Sequence, residues 1–129
     1  MAEAERITIN IAMVDVGKMD LLIDEGIYAT RSDFVRASIR TQLGLHKTEV
    51  DETSTRRRFI VGTEEMTQGM LVDAIASNQQ LHIRVIGVLT LTDDVMPEIA
   101  AAAIQSISVY GSLRMKDEVR QALGDRLLR

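Results

Sequence analysis

The sequence predicts an α/β protein made of two small domains that are joined by a charged linker. Near its start, a short segment of alternating polar and apolar residues precedes two amphipathic helical patterns. Farther on, a strand-helix pattern recurs at a fixed spacing, which favours a small parallel sheet covered by helices or a short solenoid. We therefore place an N-terminal domain at residues 1–45, a linker at 46–58 and a C-terminal domain at 59–129.

The first predicted element is a strand over residues 6–11, with the sequence RITINI. Side chains alternate across a strand, so Arg6, Thr8 and Asn10 share one polar face and the isoleucines share the other. A lone strand of this kind is unstable unless it pairs with another strand. Pairing with a second copy gives a two-stranded antiparallel ribbon, which can enter the major groove of DNA.

Two helices are predicted to follow the strand. Asp15 is expected to cap the first helix, and Gly26 suits the left-handed position just past its end. Thr30 is expected to cap the second helix, with Asp33 in the acidic position of a capping box and Gly44 as its stop. The apolar stripes of the two helices consist of Val16, Met19, Leu22 and Ile23, and of Phe34, Val35, Ile39 and Leu43.

This order of strand, helix, glycine turn and helix resembles the ribbon-helix-helix family of Arc, MetJ and CopG-type DNA-binding proteins. The resemblance covers roughly residues 5–45 and rests on the segments RITINI and EGIYATRSDFVRASI. It implies an intertwined homodimer whose paired strands bind double-stranded DNA. The base-reading residues that it implies are Arg6, Thr8 and Asn10. The residues that it implies for binding a backbone phosphate are Thr30, Arg31 and Ser32.

The chemistry of these side chains fits the implied roles. Arginine can donate two hydrogen bonds to guanine, asparagine can pair with adenine, and threonine offers a hydroxyl and a methyl group. A helix start presents unpaired backbone N–H groups and a partial positive charge to a phosphate oxygen. The alternative interpretation is that the three polar residues of the strand form only the solvated face of an edge strand.

Composition and charge limit the function further. The chain has 129 residues, no cysteine and a net charge of −4, and residues 1–48 contain six Lys and Arg against seven Asp and Glu. We therefore expect DNA affinity to depend on well-placed contacts and on several dimers binding together. The absence of cysteine excludes disulfides and thiolate chemistry. No apolar run is long enough to span a membrane, and the first residues are too polar for a signal peptide, so we expect a cytoplasmic protein.

The predicted linker, HKTEVDETSTRRR, has no apolar period. Its run of three arginines (56–58) is interpreted as a solvated charge run that precedes the next domain, in preference to a phosphate contact.

The C-terminal domain contains an internal repeat. Residues 83–99 align with 107–123 at an offset of 24, which matches Gly87 with Gly111, and a third unit is predicted to begin at residues 59–62. Each unit is interpreted as a strand with an interior glycine followed by a helix. The helices are expected over 67–76 with Met70, Leu71, Ala74 and Ile75 inward, from Val95 with Pro97 in the first turn, and from Asp117 with Val119, Ala122, Leu123 and Leu127 inward.

No catalytic, metal or cofactor site is predicted. The chain has only His46 and His82 and no cysteine, which disfavours a soft-metal sensor. The acidic pairs at 93–94 and 117–118 are better explained as helix-start residues than as cation ligands. The three serines at 106, 108 and 112 have no histidine nearby in sequence, and the chain has no glycine-rich phosphate loop, so we expect no enzyme.

The sequence thus predicts a transcriptional repressor whose C-terminal domain (59–129) joins dimers into tetramers or longer arrays. One alternative is an antitoxin that represses its own synthesis and binds a toxin. Toxin-binding tails are often short and disordered, however, whereas the sequence of residues 81–128 is typical of folded strands and helices. A second alternative is an oligomeric scaffold that uses the N-terminal strand only for dimerisation. A ligand-sensing role for the C-terminal domain also stays open.

Overall fold

A computed structural model of the protein describes residues 4–129, which form two compact units. The first unit ends at Glu52, and the second is Thr53–Arg129. The helices of the described residues are α1 (Met13–Asp24), α2 (Arg31–Leu45), α3 (Lys47–Arg56), α4 (Gln68–Ala76), α5 (Pro97–Ala103) and α6 (Asp117–Leu123). The strands are β1 (Ile60–Met66), β2 (Leu81–Leu91) and β3 (Ile104–Arg114).

Helix α1 ends as predicted but begins earlier than predicted. Its N-cap is Ala12, so Asp15 lies in the first turn and is not the cap. At the other end, Gly26 has φ +78°, and its N–H donates to the carbonyl of Ile23 over 3.0 Å. The N–H of the next residue reaches back to Leu22 over 3.0 Å. Together these bonds form a Schellman motif, which stops the helix.

The cap of helix α2 is confirmed. The Thr30 hydroxyl accepts a hydrogen bond from the backbone N–H of Asp33 at 3.0 Å. The predicted stop at Gly44 is wrong, because Gly44 lies inside α2, which continues to Leu45. A glycine inside a helix costs only about 1 kcal/mol relative to alanine, so it weakens a helix without ending it.

The predicted linker is mostly a helix, because α3 occupies ten of its residues and the boundary between the two units falls within it. The helix has little apolar surface, which is why periodicity did not reveal it. Instead, oppositely charged side chains lie about one turn apart along the chain, so they can form ion pairs with one another. Lys47 forms an ion pair with Asp51 one turn later, and His46 Nδ1 lies 3.6 Å from a carboxylate oxygen of Glu49.

Residues 4–12 have no regular secondary structure in the single chain. Strand hydrogen bonds require a neighbouring strand, and the prediction for residues 6–11 supplies that neighbour from a second copy. The paired ribbon therefore stays a prediction, and residues 1–3 of the predicted N-terminal domain lie outside the described residues.

The second unit contains the predicted parallel sheet, with three strands in the order β1-β2-β3. The sequence repeat coincides with the strand register. Gly87 pairs with Gly111, as in the aligned repeats, and Gly62 pairs with Gly87, so the third repeat also falls into register. The repeats are therefore equivalent positions on adjacent strands.

The three paired glycines form a column across the sheet, and at two of them, Gly87 and Gly111, a side chain cannot fit between the strands. All three have positive φ, between +127° and +136°. A Cβ on Gly87 would lie 2.0 Å from the carbonyl oxygen of Gly62, and a Cβ on Gly111 would lie 2.0 Å from the carbonyl oxygen of Gly87. The interior glycines of β2 and β3 are thus required by close backbone approach.

The hydrophobic core of the second unit lies between the sheet and helices α4 to α6. It includes Leu71, Val85, Leu89, Ile104, Ile107, Val119 and Leu123. Three residues that were expected to be inward are exposed, and a fourth is inward but lies outside its predicted helix. Met70 and Ile75 are 47% and 38% exposed, and Ala122 is also exposed. Leu127 packs against the core but lies beyond the end of α6.

The last residues of the chain cover part of the free edge of β3. After a short 3₁₀ turn at Gly124–Arg126, Leu127 forms a parallel bridge with Ile107. The N–H of Leu128 donates to the carbonyl of Ile107 at 2.8 Å. The Arg126 guanidinium donates to the carbonyl of Ile104 at 2.9 Å, which fixes this segment against the end of α5.

Candidate nucleic-acid interface

The first unit has an apolar surface that one copy of the chain does not cover. Of its described residues only Met19 is buried, whereas Ile7 is 76% exposed and Ile9 is 62% exposed. A cleft of about 570 Å³ opens between residues 9–11 and helices α1 and α2. Its apolar lining includes Ile9, Ile11, Met19, Leu22, Phe34 and Ile39. An apolar surface of this kind is typical of a subunit that is completed by a partner.

The polar residues of the N-terminal segment are all accessible. Ile9 and Ile11 line the cleft, whereas Arg6, Thr8 and Asn10 are exposed. Because the isoleucines are exposed as well, the two sets differ in contact with the cleft and not in burial. The segment offers an apolar side to the cleft and has hydrogen-bonding groups that a ligand can reach.

The residues predicted to bind a phosphate lie at the exposed start of α2. Thr30, Arg31 and Ser32 are exposed. The Thr30 hydroxyl accepts a hydrogen bond from the backbone N–H of Asp33, so that N–H already has a partner. Helix geometry leaves the N–H groups of Arg31 and Ser32 without partners inside the helix. The positive end of the helix dipole lies at the same place. The three predicted phosphate-binding residues are consecutive in the sequence, and the structure places them at an exposed helix start, where their role in binding a phosphate stays a prediction.

The Arg31 side chain has a partner that the sequence did not reveal. Its Nε and one terminal nitrogen donate to the two carboxylate oxygens of Asp20, each at 2.8 Å. The Asp20 hydrogen bond raises the pKa of Arg31, and the same hydrogen bond from Arg31 lowers the pKa of Asp20. This bidentate pair joins α1 to the start of α2 and partly neutralises the guanidinium. The two residues are eleven positions apart, and no local pattern relates them.

An aromatic contact supports the turn that precedes this helix start. The rings of Tyr28 and Phe34 meet edge to face with centroids 5.0 Å apart. Tyr28 lies in the turn and Phe34 in the first turn of α2, so their contact links the segments on either side of Thr30.

In the described part of the second unit, the short helices α5 and α6 begin with exposed carboxylates, and the polar residues that begin α4, Thr67 and Gln68, are half-buried. His82 Nδ1 lies 3.0 Å from the Ser106 hydroxyl on the neighbouring strand. Arg57 lies over the rings of Phe59 and Tyr110, at 5.1 Å and 5.8 Å from their centroids. Across residues 4–129, no cluster of three or more His, Cys, Asp or Glu side chains is placed to bind a metal ion.

A family comparison identifies the kind of protein to which this interface belongs. The pattern of the ribbon-helix-helix transcriptional regulator family matches residues 2–120. The chain belongs to this family. Its members are DNA-binding regulators that usually form dimers. The match continues through the sheet and into α6, so the family pattern extends beyond residues 5–45, where the sequence resemblance was first apparent.

Neither the comparison with curated proteins nor the comparison with solved structures yields a match. Among the described residues, no helix has both the length and the hydrophobicity that a membrane crossing requires.

Proposed function

We propose that this ribbon-helix-helix regulator is a sequence-specific repressor that reads the major groove with the paired N-terminal strands of a dimer. The observation that carries the proposal is the alternation at residues 6–11. Ile9 and Ile11 line an open apolar cleft, and Arg6, Thr8 and Asn10 between and beside them stay exposed. A second copy that covers the cleft would bury the isoleucines and leave the polar residues available for bases.

The start of α2 supports the proposal with a second type of contact. A phosphate oxygen at this terminus would accept hydrogen bonds from the N–H groups of Arg31 and Ser32, and the Thr30 hydroxyl can donate as well as accept. Because Asp20 already holds the Arg31 guanidinium, we assign the phosphate chiefly to the backbone groups. Such contacts fix the register of the protein on the duplex and leave sequence choice to residues 6–10.

The charge of the chain favours cooperative binding. A net charge of −4 gives the protein no broad positive field that would hold it on DNA. We propose that residues 59–129 join dimers, so that neighbouring half-sites are occupied together.

The proposal is tested by selecting bound sequences from a random duplex library with the full chain. The wild type is expected to enrich a short motif, and the variant Arg6→Ala/Asn10→Ala is expected to bind without enriching it, because each bidentate hydrogen-bond pair to a base supplies about 1–3 kcal/mol of discrimination. Glu5→Ala is the matched control, since Glu5 is exposed in the same segment and has no proposed role. Enrichment of the same motif by the double variant would exclude these residues as base readers.

A further inference from the structure

We propose that the sheet of the second unit binds the phosphate backbone of duplex DNA through a cluster of arginines on the face that points away from the core. This contact adds to the proposed base reading by residues 6–10 and does not depend on it. It requires only that the chain binds DNA, which follows from its membership of the family.

The strands of the sheet present one face to the core and leave the other face open. Val85 and Leu89 of β2 and Ile107 of β3 are buried in the core with helices α4 to α6. Because side chains alternate along a strand, the residues between them point to the opposite face. On β2 and β3 these are the even-numbered residues 82–90 and 106–114, and none of them is buried. We call this surface the open sheet face.

Three arginines meet around Tyr110 on the open sheet face. The Arg129 guanidinium lies over the Tyr110 ring, 4.2 Å from its centroid, and the Arg57 guanidinium lies 5.8 Å from the same centroid. Arg84 donates from a terminal nitrogen to the backbone carbonyl of Arg57 at 2.8 Å. Phe59 meets Tyr110 edge to face, with ring centroids 5.5 Å apart. The rings and the carbonyl thus hold these three guanidiniums, the arginine cluster, in one place.

The arginine cluster has no carboxylate partner among residues 4–129. The ion pairs of the described chain lie elsewhere, in the first unit and along α3. Bringing like charges together costs electrostatic free energy, and an anion that binds between them offsets that cost. Stacking on a ring leaves the N–H groups at the rim of a guanidinium free to donate, and phosphate oxygens accept such bonds in pairs. The cluster therefore has the charge and the donors of an anion-binding surface.

Charge is unevenly distributed between the two sides of the second unit. On the open sheet face, Arg84 and Arg114 of the strands and the other two arginines of the cluster stand against Glu65. Helices α4 to α6, on the other side of the sheet, contain Arg120 and four carboxylates, those of Asp73, Glu98, Asp117 and Glu118. In a chain whose net charge is −4, the open sheet face is a local basic surface that favours an anionic partner.

The exposure of the cluster favours an extended polyanion over a small ligand. Small-molecule sites are concave and mostly apolar, whereas the three arginines of the cluster are exposed. Ser108 lies beside Arg84 in the strand register, and Ser106 lies two residues before it on the same face. Serine hydroxyls and arginines commonly donate to the phosphates of a duplex. DNA is the polyanion that the family binds, so we assign the open sheet face to its backbone.

Salt titration of DNA binding by the full chain tests this assignment. Each phosphate that a protein neutralises contributes about 0.9 to the slope of log K against log salt. Arg84→Gln should therefore lower the affinity for every duplex and make the slope shallower by about 0.9. Arg84→Lys keeps the charge and should retain the slope. Arg120→Gln is the matched control, because Arg120 is also exposed and also donates to a backbone carbonyl, that of Leu113 at 3.2 Å, but lies on α6.

The triple variant Arg57→Gln/Arg84→Gln/Arg129→Gln should have the largest effect, because it removes the whole cluster. A wild-type slope in this variant, once circular dichroism shows it folded, would overturn the proposal, and so would an equal loss of slope in Arg120→Gln. Light scattering without DNA checks the other occupant of such a face. A lower mass for the triple variant than for the wild type would assign the face to a contact between copies and overturn the proposal.

Selection of bound sequences with the same proteins separates this inference from the proposed base reading. The cluster variants should enrich the same motif as the wild type, because phosphate contacts carry no direct sequence information. Absence of any motif in the wild type contradicts the base reading alone, since the salt slopes are measured on a duplex of arbitrary sequence. A retained motif with unchanged slopes contradicts the phosphate contact alone.

Discussion

At the scale of single residues, the strongest constraint in the molecule is the glycine column of the sheet. Gly87 combines a φ of +135° with a carbonyl oxygen 2.0 Å from the position of its Cβ. The contact is with backbone on β1, so no side chain can rotate to relieve it. A substitution at this position must therefore shift one strand relative to the next.

The expected result of Gly87→Ala is a decrease of at least about 3 kcal/mol in the free energy of unfolding, measured by urea denaturation. Gly62→Ala should cost less, about 1–3 kcal/mol, because its φ is strained for alanine but its Cβ has open space. Gly69→Ala is the control, since Gly69 lies in α4 with only the Thr67 hydroxyl oxygen nearby, at 3.9 Å. Equal costs at Gly87 and Gly69 would contradict the close approach of β1 and β2.

The pair Asp20–Arg31 leads to a prediction about DNA affinity. Asp20→Asn removes a negative charge near the proposed phosphate site and leaves the Arg31 guanidinium with one neutral acceptor in place of a bidentate carboxylate. Affinity should therefore rise for all sequences alike, and the slope of log K against log salt should steepen by about 0.9 if one further phosphate is bound. Titration of a labelled duplex at several salt concentrations measures both effects. Weaker binding by Asp20→Asn would show that the ion pair itself positions the phosphate.

The pair Asp20–Arg31 also makes a small contribution to the way in which the stability of the folded protein depends on pH. Because Arg31 lowers the pKa of Asp20, the pair stabilises the folded protein above the ordinary carboxyl pKa. This contribution disappears as the pH falls through the lowered pKa of Asp20. The two side chains are exposed, so solvent screens the effect strongly.

Local rules predicted some residues well and others not at all. Gly26 and Thr30 were predicted correctly, because a helix stop and a helix cap depend on a few adjacent residues. Asp15 was placed wrongly, because Ala12 begins α1 without a side-chain cap. The partner of Arg31 was missed, because packing of two helices brings it near and no sequence spacing encodes that pair.

At the scale of elements, the cap of α2 affects both the stability of the fold and the proposed phosphate contact. Thr30→Ala should lower the free energy of unfolding by about 1 kcal/mol, because the Asp33 N–H is left without its acceptor. It should also weaken binding to every DNA sequence, since the proposed phosphate site is left without a hydroxyl group and an ordered helix start. Thr30→Ser keeps the hydroxyl and serves as the control.

Thermal unfolding and duplex titration of the two Thr30 variants measure these effects. Unchanged DNA binding in a folded Thr30→Ala protein would remove the start of α2 from the interface.

Helices and strands were predictable where the pattern of apolar residues in the sequence reflects packing in the core. The strands and helices of the second unit followed from a repeat, and the repeat proved to be the strand register itself. Helix α3 was not predictable in this way, because ion pairs one turn apart support it and it buries little. The strand at 6–11 stays a prediction, because its hydrogen-bond partners would belong to another chain.

At the scale of the whole molecule, two surfaces are left open by a single chain. The apolar cleft of the first unit needs a partner to bury Ile9 and Ile11, and the β1 edge of the second unit is free to pair. Joining of dimers by residues 59–129, as proposed above, would let them occupy neighbouring half-sites together. Membership of the family makes the chain a DNA-binding regulator, and base reading by residues 6–10 is the proposal on which its specificity depends.

A genomic pull-down with sequencing of the bound fragments, comparing the wild type with Arg6→Ala/Asn10→Ala, is the decisive experiment for this proposal. We expect a short motif that recurs at fixed spacing in the wild type and is absent from the fragments bound by the folded variant. The same motif in both proteins would contradict base reading by residues 6–10. Diffuse binding or no binding by both would contradict sequence-specific recognition and favour a scaffold or an antitoxin that needs its toxin.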